Sequence, residues 1–314
     1  RSRGRTEEAA QEFSRAGELS PEKPEAFYEL AWIKFEQGDL AGAGEMADRA
    51  LTSASWHLPS LKLRARIALA ENDFELDETE TFRLCVGDGV GKVRAKAIEG
   101  LSECEERSLL DPLIGLLLGD LEDSVRAAAA AALGTFAMLA EFGELKGNDA
   151  DKVEKALLTA FSNKKEQMDV RCRALESISM MSRPQVEAMI RQAYQSDALQ
   201  FRASALCAMG RTCNSDWLSI LLQELGSSSA QLRFEAARAC AELEADDAVP
   251  RLVELTRDDD AQVRLAAVEA LGRIGGNEAR QALQECRDGQ DDAMSEAAED
   301  ALDEMKFWED PFAI

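Results

Sequence analysis

Histidine is almost missing: His57 is the single one in 314 residues. That excludes any metal site built from a histidine cluster and removes the commonest general base. Tyrosine and tryptophan are scarce too, at 2 and 4 residues, while Ala, Leu and Glu abound, so strand formers are thin and the composition is that of an all-helical protein. Positive charge is in short supply, with 36 Lys and Arg against 60 Asp and Glu and a formal net charge of −24. A surface of that sign repels phosphate backbones, so no nucleic acid is expected as the main partner. No run of about 18 apolar residues occurs, so no segment reads as a membrane span and no membrane partner is expected. The seven cysteines (Cys85, Cys104, Cys172, Cys207, Cys213, Cys240 and Cys286) form no CxxC pair. That pattern predicts reduced, mostly buried thiols and a cytoplasmic location. The chain starts at Arg1 rather than Met, so a natural N-terminus and a signal peptide ahead of it stay compatible with this reading.

What is present is enough apolar sequence, 46%, to bury a large core across about two domains. Its organising feature is a repeat. A short phrase recurs in which an apolar residue precedes an Arg, with Ala three residues on, a small residue at six and an apolar one at seven. The Arg falls at Arg94, Arg126, Arg171, Arg202, Arg233 and Arg264, and a further step of the same length reaches Ser295. Offset +3 is always alanine: Ala97, Ala129, Ala174, Ala205, Ala236, Ala267 and Ala298. Offset +7 reads Leu101, Leu133, Ile178, Met209, Cys240, Leu271 and Leu302. Offsets −1, +3, +6, +7 and +10 trace one face of an α-helix, and the small residues on it let a partner helix come close. A Leu-rich first helix precedes each second helix from the Arg126 unit on, at 109–118, 152–161, 185–194, 216–225, 248–256 and 278–286. Asp123, Asp197, Ser229 and Asp260 stand where caps of the second helices are expected. An insertion is expected around 142–151, where the spacing lengthens.

Segments such as DDDAQVRLAAVEALGRIGG and EDSVRAAAAAALGTFAML resemble HEAT repeats, of the variety named after phycobilisome-lyase subunits. The resemblance covers 86–306 and implies a right-handed α-α superhelix, an alpha solenoid, in which recurring Asp and Arg form a ladder between repeats. It would give Asp260 with Arg264, Asp197 with Arg202 and Asp123 with Arg126 a structural role. Residues 1–85 have another phase. Ala31, Gly38, Ala43 and Ala50 sit at the spacing of a tetratricopeptide repeat, with Ala9, Phe13, Ala16 and Pro21 one period earlier and Leu61, Ala65 and Asn72-Asp73-Phe74 one period later. The chain then opens inside such a repeat, which predicts more of them upstream. The boundary between the arrays is expected near Cys85–Gly91, in the glycine-rich turn VGDGVG.

No catalytic constellation stands out. The resemblance admits di-iron hydroxylases built on repeated His-Glu pairs, which one histidine cannot supply, and DNA glycosylases with a basic face, which the net charge opposes. It also admits phycobilin lyases, but nothing identifies a bilin site. His57 reads as a packed turn residue beside Trp56. Gly87, Gly89 and Gly91 lack the strand and the Lys-Ser/Thr of a phosphate loop, and Asp258-Asp259-Asp260 lacks the alternation of a calcium loop. No cofactor is expected.

Binding is what the residues support. Offsets +2, +5 and +9 point away from the core by helical angle, towards the concave side of the superhelix. There they place Arg173, Glu176, Arg211, Glu235, Arg238, Glu242, Glu269 and Arg273, with Arg211, Arg238 and Arg273 in successive repeats. The reading is a non-enzymatic scaffold or adaptor for a protein partner, an acidic or extended peptide among the candidates. The alternative is an accessory subunit of a lyase or protein-modification enzyme that presents a protein substrate. The last unit has lost its Arg and looks like a polar cap. Beyond it, residues 307–314 (KFWEDPFAI runs from Lys306) form an acidic-aromatic tail whose Phe307, Trp308 and Phe312 either seal the last helix pair or insert into a partner. The helical phase has a direct test in unfolding measurements. Ala236→Leu or Ala267→Leu is expected to cost about 1–3 kcal/mol by overpacking. Glu269→Gln is expected to change stability by less than about 0.5 kcal/mol.

Overall fold

The computed structural model describes residues 2–21, 23–54, 58–71, 86–289 and 291–309. In chain order its α-helices are α1 (Ser2–Leu19), α2 (Pro24–Glu36), α3 (Leu40–Ser53), α4 (Leu58–Glu71), α5 (Gly91–Gly100), α6 (Leu110–Gly119), α7 (Asp123–Glu141), α8 (Asp149–Ser162) and α9 (Met168–Ile178). They continue as α10 (Pro184–Tyr194), α11 (Leu199–Arg211), α12 (Leu218–Glu224), α13 (Ala230–Glu242), α14 (Val249–Leu255), α15 (Ala261–Ile274), α16 (Gly276–Arg287) and α17 (Asp292–Glu309). Among the described residues there is no strand, and the fold class is the all-α solenoid. The chain divides into two compact units, one of Arg1–Glu106 with Gly119–Ala132, the other of Arg107–Leu118 with Leu133–Ile314.

In the first unit α2 and α3 form an antiparallel hairpin around Phe27, Leu30, Met46, Leu63 and Ile67. Ala31, Ala43, Ala47 and Ala50 are fully buried, and these small side chains set the close approach of the two helices. Pro24 opens α2, where its missing N–H costs nothing. Asp39 caps α3, accepting from the Gly42 N–H at 3.0 Å and from Lys34 Nζ at 2.7 Å.

In the second unit the second helices α9, α11, α13, α15 and α17 pack side by side, and each also packs on its own first helix. All seven alanines at offset +3 are 0% exposed across the two units, which is the face the sequence pattern assigns to the core. The pattern loosens at its start, where Val93 is half-buried and Gly100 exposed because α5 stops after ten residues. Contact between second helices is tightest at offset +8. A Cβ on Gly210 would stand 2.8 Å from Ala239 Cα, and one on Gly272 would stand 2.7 Å from Ala301 Cβ. Neither position has room for a side chain without moving backbone.

The arginines do form a ladder, with partners other than those the resemblance implies. Arg233 donates through Nε and Nη2 to both carboxylate oxygens of Asp258 at 2.7 Å each, 25 residues on and in the next repeat. Arg94 holds Asp120 in the same way at 2.9 and 2.7 Å, and Arg66 holds Asp88 at 2.6 Å. Each receiving Asp accepts from the N–H two residues later, as Asp88 from Val90, Asp120 from Glu122 and Asp258 from Asp260, which shapes the turn before the second helix. Its own carbonyl takes Nη1 of the next Arg in line: Asp88 O from Arg94, Asp120 O from Arg126 and Asp258 O from Arg264.

Asp260, Asp197 and Asp123 are therefore not the ladder partners of Arg264, Arg202 and Arg126. Of the four expected caps, Asp260 bonds the Gln262 and Val263 N–H groups, whereas Ser229 makes no side-chain cap and Ala198, not Asp197, occupies the cap of α11. The reason is geometric: the Arg leaves the first turn of its helix and reaches across to the preceding turn of the neighbouring repeat, so its carboxylate must lie six residues ahead of the next Arg. Where serine stands there, at Ser196 and Ser227, the preceding arginines go elsewhere. Arg202 takes Glu224 at 2.9 Å, and Arg171 bonds Phe161 O while lying over the Phe161 and Phe201 rings.

The Arg233 guanidinium, against the effect of burial, holds the Asp258 carboxyl below its ordinary range. A carboxylate with a lowered folded pKa adds stability that is present above its unfolded pKa and lost as pH falls towards the folded value. Asp258→Asn is therefore expected to cost about 2 kcal/mol at pH 7, with the deficit closing as denaturation is repeated through and below about pH 4.

Candidate protein-binding face

The face made by α9, α11, α13 and α15 gathers the residues singled out in the sequence. On α9, Arg173 Nη1 pairs with Glu176 Oε2 at 3.0 Å. Ser204 Oγ on α11 lies 2.9 Å from Glu176 Oε1 and 3.1 Å from Cys172 O, so its single proton ties α11 to α9. Arg211 crosses the same way, donating Nη1 to Glu176 O at 2.9 Å. On α13, Arg238 Nη1 stands 3.6 Å from Glu235 Oε2 and its guanidinium lies over the Phe234 ring. The Glu242 carboxylate lies over Gly210 of α11, close enough that a Cβ there would meet Oε2 at 3.0 Å. Glu269 and Arg273 on α15 are exposed.

The face is less open than helical angle suggests. Ser204, Cys207 and Ala266 are buried at 4, 9 and 2% exposure, and the Glu235 side chain is 19% exposed. Close packing of the second helices turns offset +2 in the middle of the array towards the neighbouring helix, so Ser204 and Ala266 are covered. Arg173, Arg238, Glu269 and Arg273 are the members that emerge.

Burial raises the Glu235 carboxyl above its ordinary range, with Arg238 opposing and Glu176 adding to the rise. Burial does the same at Glu242, against Arg211, Arg238 and Arg273. The thiols are further from ionisation, since burial pushes Cys172 up to about 11 and Cys207 and Cys240 up to about 12. Thiols that stay protonated at neutral pH are poor nucleophiles and metal ligands. Among the described residues, no group of three or more His, Cys, Asp or Glu side chains is placed to hold a metal. His57 and Phe312 lie outside the described residues. Phe307 and Trp308 fall in the last turn of α17, with side chains outside the described set.

Sequence reasoning missed the acids six residues ahead of the arginines. The signal was available, because Asp88, Asp120 and Asp258 keep that spacing to Arg94, Arg126 and Arg264. It was masked by serine at 196 and 227 and by the more obvious acids beside the helix starts.

Residues 218–303 match the family model described as HEAT repeats. HEAT repeats are present there. No curated protein sequence matches the chain. Among solved structures, human deoxyhypusine hydroxylase in complex with glycerol is similar at 19% identity and a TM-score of 0.38, covering 78% of this chain and 91% of that one. The complex of CpcE and CpcF of phycocyanin lyase from Nostoc sp. PCC7120 is similar at 17% identity and a TM-score of 0.49, covering 72% and 94%. YibA of E. coli is similar at 17% identity and a TM-score of 0.43, covering 86% and 96%. None of these likenesses bears on function. Among the described residues, no helix is long and apolar enough to cross a membrane.

An acid with a raised folded pKa costs stability as pH rises from its unfolded value through its folded one. Glu235→Gln removes that cost along with a partly exposed pair to Arg238. The variant is expected to be more stable than the parent at pH 7 by up to about 1 kcal/mol, and the gain should vanish in melts at about pH 4, where the parent Glu235 is itself neutral.

Proposed function

We propose that this chain is a non-enzymatic interaction scaffold that holds a protein or peptide partner on the face of its second helices. The observation that carries the reading is the prearranged charge of that face. Arg173 is held by Glu176 at 3.0 Å and Arg238 stands over the Phe234 ring 3.6 Å from Glu235, yet both remain about half exposed, with side-chain exposures of 50 and 46%. Side chains already fixed in place lose little conformational entropy when a partner arrives, which favours binding. The HEAT repeats at 218–303, which hold Glu235 and Arg238, fit this role, because stacked pairs offer an extended surface. Residues 1–85 are proposed as tetratricopeptide-like, supported by the burial of Ala31, Ala43 and Ala50 at the small positions of that pattern. The array proper is proposed as 86–306, and 307–314 as a tail that seals the last pair or enters a partner. A reducing cytoplasm suits the buried thiols.

The test is site-specific photo-crosslinking in the source cell. A photoreactive residue in place of Arg238 or Glu269 is expected to capture one defined partner, and the same probe at Gln192 on the outer helix α10 is expected to capture none. Arg238→Glu combined with Arg273→Glu should weaken that partner's binding by about tenfold or more, as measured by calorimetry on the purified pair. Equal capture from both faces would overturn the reading.

A further inference from the structure

The ladder repeats every 31 residues over α11 to α17, so each of its positions has a counterpart one repeat on. The counterpart of Asp258 is Gly289, which has no carboxylate to offer Arg264. Arg264 keeps the carbonyl half of the pattern, donating Nη1 to Asp258 O at 3.0 Å. Its other half is met weakly. Asp291, two residues late and 51% exposed, touches Nη2 once at 3.4 Å, and among the described residues no carboxylate meets Nε. Beside this guanidinium is a cavity of about 280 Å³ lined by Arg257, Arg264 and Gly289 and by the apolar Val253, Ala282 and Met294. Arg257 is likewise loosely engaged, 3.3 Å from Glu285 with 74% of its side chain exposed.

We propose that this cavity, on the turn edge of the array and apart from the face discussed above, binds a monocarboxylate on a short apolar stem, which docks on Arg264 as Asp258 docks on Arg233. The planar fork of Nε and Nη2 matches a carboxylate, as the 2.7 Å pair of bonds in the preceding rung demonstrates within this same chain. Glu285 and Asp291 also line the cavity, and they and the net charge of −24 repel a doubly charged phosphate more strongly than a single carboxylate. Val253, Ala282 and Met294 supply contact for the stem. The carboxylate comes either from an Asp or Glu side chain of a partner protein or from a free small acid.

The experiment follows the Arg Nε–H and Met methyl signals of the full chain by NMR. Sodium propionate and the peptide acetyl-Ala-Asp-Ala-amide are titrated, with sodium chloride and the Asn analogue of the peptide as controls at matched ionic strength. Arg264 Nε–H and the Met294 methyl are expected to move saturably while Arg233 Nε–H stays still. A response to both probes assigns a protein carboxylate as ligand, and a response to propionate alone assigns a free small acid. Gly289→Asp should restore the rung from within and weaken the Met294 response at least about tenfold. The Cβ it adds would stand 3.0 Å from Cys286 O, so the turn must give by a few tenths of an ångström. Arg264→Lys keeps the charge without the fork and should weaken it similarly. The proposal is overturned if chloride moves Arg264 as far as propionate does, if neither probe moves it, or if both variants respond as the parent does.

Discussion

The distance at which two second helices can lie side by side governs the rest of the array. That distance is set at Gly210 and Gly272, where even a methyl group would meet Ala239 or Ala301 of the next second helix. Apolar burial supplies the driving force, but a smooth Ala-lined contact does little to fix which turn of one helix faces which turn of the next. The arginine forks supply that register. A two-bond contact such as Arg233 with Asp258 tolerates little sliding, and the Nη1 bond to a carbonyl six residues back fixes the turn that delivers the helix.

Much of this was legible in the sequence because helical periodicity is a strong signal in a repeat. The alanine at +3, the apolar residue at +7 and the Leu-rich first helices all fell where the pattern placed them, with first-helix limits moved by one to three residues where short 3-10 turns such as Ser215–Trp217 and Asp246–Ala248 lead in. What was not legible was pairing between repeats. Angular reasoning on one helix says nothing of which neighbour an Arg reaches, and the repeat resemblance put Asp260 with Arg264, whereas a rung such as Arg233 with Asp258 reaches a turn 25 residues away. The same limitation explains Ser204 and Ala266, which point outward from their own helix and into the adjoining one.

The candidate face shows how close packing and charge interact. Arg173 with Glu176, and Glu235 with Arg238, stand three residues apart on one helix, so helical spacing brings their opposite charges together at the border of the seam. Partial burial then raises the Glu235 and Glu242 carboxyls despite three or more arginines nearby. Such a face is less a solvated surface than a set of oriented groups with part of their desolvation already done.

Arg171 departs from the carboxylate rungs, lying over Phe161 and Phe201 at 5.6 and 4.6 Å from their centroids and bonding a carbonyl. Dissolved salt screens a partly exposed ion pair, but it acts far less on a cation seated between two rings and an amide oxygen. Ionic strength therefore loosens the array unevenly: the rungs at Arg202 and Arg264 soften as salt rises, and the seat after the insertion keeps its grip. In concentrated electrolyte this stretch becomes the pin about which its neighbours slacken.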